Sequence, residues 1–148
     1  VVGFDVDGTL TDGQVYYTDR GEALRAFHTS DGQGITNLRL AGIKVFFISQ
    51  SDSPMITERA KKLGVELVFL NVHQKASRIA SFLAESGWHW HNLAYIGNDQ
   101  NDVETMRQAG ISACPADAEQ TAKKVAIMRC KRNGGHGAVR EFCDYLLS

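Results

Sequence analysis

The chain has 148 residues, 43% of them hydrophobic and 22% charged, and its sixteen Lys and Arg against seventeen Asp and Glu leave a net charge of -1. That size suits one domain with one core, and the composition excludes disordered, collagen-like and coiled-coil chains. With no run of like charge and no apolar stretch near the ~18 residues of a membrane helix, neither nucleic acid nor a membrane is an expected partner.

Short apolar runs alternate with amphipathic segments along the whole chain. Residues 1–6 read as a buried strand stopped by the turn pair Asp7-Gly8. Residues 16–17 and 23–27, around Thr18-Asp19-Arg20-Gly21, read as the arms of a hairpin, a flap of about 14–27. Asp31 is placed to cap a helix with apolar positions Ile35, Leu38 and Leu40, stopped at Gly42. A strand at 44–48 follows. Then comes a helix at 54–63 between Ser53-Pro54 and Gly64, and a strand at 65–70. A helix at 74–85 and a strand at 93–96 lead to a helix at 102–109 and a strand at 111–114. A helix at 119–124, a strand at 125–128 and a helix at 138–147 complete the order. Such alternation predicts a doubly wound α/β domain over 1–148, because parallel strands need crossovers and helices supply them.

In that architecture ligands bind beyond the carboxyl ends of the strands. The first strand ends in Asp5-Val6-Asp7-Gly8-Thr9. Strand alternation puts Asp5 and Asp7 on one side, where two close carboxylates repel unless a cation lies between them. A solvated acidic turn is the plain alternative. An EF-hand fails, because counting from Asp5 puts Leu10 at the glycine position and Tyr16 at the bidentate acid. Ser49 after the next strand offers a hydroxyl to a phosphate oxygen, and Lys75 offers a compact charge. Gly97-Asn98-Asp99-Gln100-Asn101-Asp102 is an acid-and-amide cluster at a helix start.

Taken in order, Asp5 and Asp7, Ser49, Lys75 and the 97–102 cluster resemble the motifs of the haloacid-dehalogenase-like phosphohydrolases. The resemblance covers essentially the whole chain. It narrows to the branch with a hairpin flap and no large cap, which dephosphorylates eight- and nine-carbon keto-sugar acids, through FHTSDGQGI at 27–35, ERAKKLG at 58–64, AYIG at 94–97 and GGHGAVRE at 134–141. A similar domain closes some CMP-acylneuraminate synthetases, and Pro115-Ala116-Asp117-Ala118 with the Gly-Asn-Asp form of the late cluster is similar to that group.

The resemblance implies a Mg2+-dependent phosphomonoesterase acting on a nonulosonate 9-phosphate or deoxy-octulosonate 8-phosphate. Asp5 would be the nucleophile forming an aspartyl phosphate, Asp7 the acid and base, and Ser49 and Lys75 the phosphoryl contacts. Mg2+ would be held by Asp5, the carbonyl of Asp7 and Asn98, with Asp99 and Asp102 as alternative or supporting groups. Arg59 and Lys62, three apart on one helical face, match positions that read the substrate carboxylate, with a solvated helix surface as the plain alternative; the Gly-rich loop at 134–137 either lets backbone or Arg140 approach an anionic substrate or is merely a loop before the last helix. Homotetramers are implied, the hairpin of one subunit covering a neighbour's site; Tyr16 and Tyr17 on it are read either as interface residues or as packed within a single chain. Two departures stand out: Asn98 replaces the usual Asp, and Gln50-Ser51 replaces the Gly and charged residue of many relatives. The rival readings are a non-catalytic assembly module from a sugar-activating enzyme and a receiver-type signalling domain.

Cys114, Cys130 and Cys143, widely spaced and without a CxxC pair, suggest neither a disulfide framework nor a zinc site and fit a reducing, cytoplasmic setting. His89-Trp90-His91 has metal-ligand spacing without a third ligand, so a loop packing a Trp against the sheet is favoured. The apolar opening without a Met suggests a chain cut from something longer.

Overall fold

The computed structural model describes residues 1–148. Six parallel strands form the sheet: β1 (Val2–Asp5), β4 (Val45–Ile48), β5 (Leu67–Phe69), β6 (Ala94–Ile96), β7 (Ile111–Cys114) and β8 (Met128–Arg129). Their spatial order is β5-β4-β1-β6-β7-β8. A separate antiparallel hairpin joins β2 (Tyr16–Thr18) to β3 (Gly21–Leu24). The helices are α1 (Thr29–Leu40), α2 (Pro54–Leu63), α3 (Lys75–Glu85), α4 (Val103–Gln108), α5 (Gln120–Val125) and α6 (Ala138–Leu147). None is long and apolar enough to cross a membrane.

Both faces of the sheet are covered, which is why its strands are apolar throughout rather than alternating. In β4, Val45 and Phe47 join the core beneath α1, α2 and α6, while Phe46 and Ile48 join the one beneath α3, α4 and α5. Leaving the hairpin aside, the strands run 3-2-1-4-5-6, with the order reversing between β1 and β6. Ligands of doubly wound sheets bind at that reversal. A receiver-type domain has the order 2-1-3-4-5, so this sheet sets the signalling reading aside.

Local differences from the sequence reading have physical causes. Asp31 does not cap α1; His28 does, its Nδ1 accepting from the Ser30 backbone N-H at 3.3 Å. The buried Asp31 carboxylate instead accepts from the N-H groups of Gly137 at 3.3 Å and Arg140 at 2.8 Å, and so caps the N-terminus of α6 from another element. Leu40, expected in the core, is 83% exposed. The second hairpin arm begins at Gly21 rather than Ala23, and β8 starts three residues later than expected because Val125 closes α5. The loop at 88–92 does pack Trp88 edge-on to Phe82, with ring centroids 5.8 Å apart.

Candidate active site

β1 ends at Asp5, whose side chain leaves the sheet on the α3 side because Val2 and Phe4 take the other face. Asp7 lies past the strand, so strand alternation does not govern its direction. Gly8 follows with φ 85°, and a Cβ there would come within 2.2 Å of the Asn98 side chain, so glycine is what lets β1 and the loop after β6 close on one another.

Lys75 opens α3, where a cation opposes the helix dipole. Two carboxylates offset that cost. Its buried Nζ donates to Asp5 Oδ1 at 2.5 Å and to Asp102 Oδ1 at 2.7 Å. Asp102 is fully buried and also accepts from the Tyr95 hydroxyl at 2.6 Å and the N-H groups of Asn98 at 3.0 Å and Asp99 at 3.2 Å. Burial and the neighbouring acids push the Tyr95 phenol well up, which keeps it a donor. Thr9 donates to Asp5 Oδ2 at 3.0 Å.

Asp5 and Asp102 thus share one ammonium in a buried cluster, leaving one negative charge uncompensated. Burial first, and then the charge of Asp102, push the Asp5 carboxyl up to about 7 against the pull of Lys75. The cluster therefore favours a further cation next to Asp5.

The donors for one are present. One terminal atom of the Asn98 amide lies 3.0 Å from the Asp7 carbonyl and 2.8 Å from Asp5 Oδ2. With nitrogen there, the amide donates to both oxygens. With oxygen there, the amide oxygen stands from each of the other two at a separation close to the ~3 Å edge of an octahedron whose metal-oxygen bonds are about 2.1 Å. No three His, Cys, Asp or Glu side chains are grouped to hold a metal; this set is one carboxylate, one backbone carbonyl and one amide, suited to a small hard cation. Asp99 stands apart, exposed, its Oδ1 accepting from the Gln100 N-H.

On the other side of Asp7, Ser49 Oγ donates to Asp7 Oδ2 at 3.2 Å and accepts from the Ser51 N-H at 3.0 Å. Arg25, just past the hairpin, reaches Asp7 Oδ1 at 2.8 Å and Glu22 at 3.0 Å. The loop before α6 closes the base: Gly135 N-H donates to the Thr9 carbonyl at 3.0 Å and Gly134 N-H to Asp117 Oδ1 at 2.9 Å.

Asp5, Asp7, Ser49, Lys75, Asn98 and Asp102 are therefore gathered at the ends of β1, β4 and β6. Arg59, Lys62 and Arg140 are not. Arg59 donates to the His28 carbonyl at 3.2 Å and lies over the Phe27 ring, Lys62 is exposed, and Arg140 is paired with Asp144 at 2.8 Å. The sequence reading missed Thr9, Arg25, Glu22 and Tyr95. Tyr95 lay inside the AYIG motif and Thr9 in the turn just after the Asp5–Asp7 pair, whereas Arg25 and Glu22 gave no signal because the folded-back hairpin brings them in.

Comparison with known proteins agrees with this geometry. The profile of the haloacid dehalogenase-like hydrolases matches residues 55–142. The 3-deoxy-D-manno-octulosonate 8-phosphate phosphatase of Haemophilus influenzae is 38% identical over 143 residues, covering 97% of this chain and 79% of that protein. N-acylneuraminate cytidylyltransferase B of Danio rerio is 35% identical over 147 residues, 97% of this chain but only 34% of that protein, so the chain spans about a third of it. Among solved structures, the octulosonate phosphatase of Moraxella catarrhalis, in complex with magnesium, phosphate and the sugar acid, superposes with a TM-score of 0.96 at 32% identity, over 99% of this chain and 84% of that one. The cobalt-bound Haemophilus influenzae enzyme gives 0.94 at 38%, over 99% and 85%. With family profile, near full-length relatives and sheet in agreement, the chain belongs to the haloacid dehalogenase-like hydrolases.

Proposed function

We propose that this phosphatase is Mg2+-dependent and hydrolyses the phosphate ester of a keto-sugar acid, 3-deoxy-D-manno-octulosonate 8-phosphate or a nonulosonate 9-phosphate, through an aspartyl phosphate on Asp5. The observation that carries the reading is the meeting of Asp5 Oδ2, the Asp7 carbonyl and the Asn98 amide beside the Lys75 ammonium. Those three oxygen donors would hold Mg2+, which supplies positive charge that lets an anionic phosphate approach an anionic nucleophile.

The Asp5 carboxylate attacks phosphorus while the bond from phosphorus to the sugar oxygen breaks. Asp7, beyond the strand and facing the hairpin, gives that oxygen its proton. Water then attacks the phosphorus of the aspartyl phosphate, Asp7 takes the proton, and inorganic phosphate leaves with Asp5 regenerated. Ser49 and Lys75 hold phosphoryl oxygens, and Asp102 with Tyr95 keeps Lys75 aimed.

A tetramer in which the hairpin of one subunit covers a neighbour's site is supported by the exposure of Tyr16, Tyr17 and Leu24, at 49%, 71% and 49%. In it, Arg59, Lys62 and Arg140 would meet the acidic end of a substrate bound across subunits. The match to a third of a cytidylyltransferase favours a second reading, an assembly domain of a sugar-activating enzyme. Phosphate release from a panel of sugar phosphates, with and without Mg2+, decides between them. Turnover that needs both the ion and Asp5, and is abolished by Asp5→Asn, supports the phosphatase. No release from any ester, with the oligomer intact, supports the assembly domain.

A further inference from the structure

The Arg25 side chain is only 5% exposed and sits where no sequence motif placed a charge. It closes a ring around the acid: Nη1 lies 2.8 Å from Asp7 Oδ1, Nη2 donates to Ser51 Oγ at 3.0 Å, Ser51 N-H donates to Ser49 Oγ, and Ser49 Oγ donates to Asp7 Oδ2. Glu22 braces the guanidinium at 3.0 Å and is itself held by Ser53 Oγ at 2.7 Å.

The ring is incomplete at one point. Despite their 2.8 Å separation, neither Arg25 Nη1 nor Asp7 Oδ1 has a hydrogen-bond partner of acceptable direction, and Arg25 Nε is unmatched as well. The contact is a charge pairing without an aimed hydrogen bond, so Nη1 keeps N-H groups free for a group that enters beside Asp7, whose side chain is 34% exposed. Such a group sits next to the leaving oxygen. An oxygen taking a proton from Asp7 Oδ1 lies about 2.7 Å from it and, with Nη1 2.8 Å from the same Oδ1, no more than about 5.5 Å from Nη1. A hydroxyl on the carbon next to the ester carbon, about 3 Å from that oxygen, can turn to within hydrogen-bond distance of Nη1, whereas the carboxylate at the far end of a long sugar acid cannot.

We infer that Arg25 is a specificity-determining residue that donates to the hydroxyl vicinal to the phosphorylated carbon, so that the enzyme selects phosphate esters of 1,2-diols. The inference rests on the proposed role of Asp7 as leaving-group acid. Arg25 donates only, so the hydroxyl is read as an acceptor, and an ester lacking it leaves the buried Nη1 unmatched.

The test compares 3-deoxy-D-manno-octulosonate 8-phosphate with its 7-deoxy analogue, using wild type, Arg25→Lys and Arg25→Ala. Wild type is expected to favour the 7-hydroxyl ester in kcat/KM by tenfold or more. Arg25→Ala is expected to bring the ratio close to one by losing chiefly on the hydroxylated ester, with Arg25→Lys in between. Equal losses on both esters would mean that Arg25 only braces the hairpin, and would overturn the inference, as would a wild type indifferent to the 7-hydroxyl. Turnover of neither ester by wild type would instead overturn the substrate reading on which the inference rests.

Discussion

Replacing Asp102 by Asn isolates the buried network behind the site. Asp102 Oδ1 accepts from Lys75 and Tyr95, and Oδ2 accepts from the N-H groups of Asn98 and Asp99. An asparagine keeps the shape but has one acceptor atom, so its amide N-H2 must face one of these donor pairs. Either the buried Lys75 and Tyr95 donors or the part-buried N-H groups of Asn98 and Asp99 then lose their acceptor and face a third donor. At roughly 1–3 kcal/mol per unmatched buried donor, the loss is about 3–5 kcal/mol out of a total stability of about 5–15 kcal/mol. For a domain of this size that lowers the melting temperature by roughly 6–20 °C. Thermal unfolding followed by circular dichroism measures it. A melting temperature within about 2 °C of wild type would refute the premise that this carboxylate organises the Lys75 and Asn98 positions.

Gly134→Ala would place a Cβ 1.9 Å from the Gly8 carbonyl oxygen, and since both partners are backbone the catalytic loop must shift; kcat is expected to fall by about a hundredfold, and kinetics on the refolded variant at substrate saturation checks it. The three cysteines are buried, and burial first, then the charge of Glu141, raise the Cys130 thiol from 9.0 to about 12, so native protein should resist a thiolate-specific reagent at pH 9 while unfolded protein reacts at all three. Because the folded thiol holds its proton more tightly than the unfolded one, its contribution is full below pH 9 and lost as pH rises through 9–12; a urea midpoint that does not fall over that interval would contradict the assignment.

How far the fold could be read from sequence depended on which contacts decided each feature. The bounds of α2, β7 and α6 match the expectation because Pro54, Gly64 and the apolar runs act locally. Asp31 misled because its acceptors are filled from α6, 106 and 109 residues away, and no local rule of capping carries that information. The same contrast holds at the site. Asp5, Ser49 and Lys75 could be read because each follows a strand, and strand ends converge in this fold. Arg25 was invisible because its position depends on how a hairpin outside the main sheet folds back, and Tyr95 because an inward-facing tyrosine in an apolar strand looks like core until its hydroxyl is seen on Asp102. The receiver alternative fell to strand order alone, which alternation of elements does not determine.

The central claim is that Asp5 takes the phosphoryl group. Wild-type enzyme mixed with Mg2+ and 3-deoxy-D-manno-octulosonate 8-phosphate, quenched in acid within the first turnover and digested, can be examined by mass spectrometry for a phosphoryl group on the peptide containing Asp5. The expected result is that modification on Asp5 in wild type and its absence in Asp5→Asn. Phosphate release by an enzyme whose Asp5 never carries the group, or sustained turnover by Asp5→Asn, would contradict it.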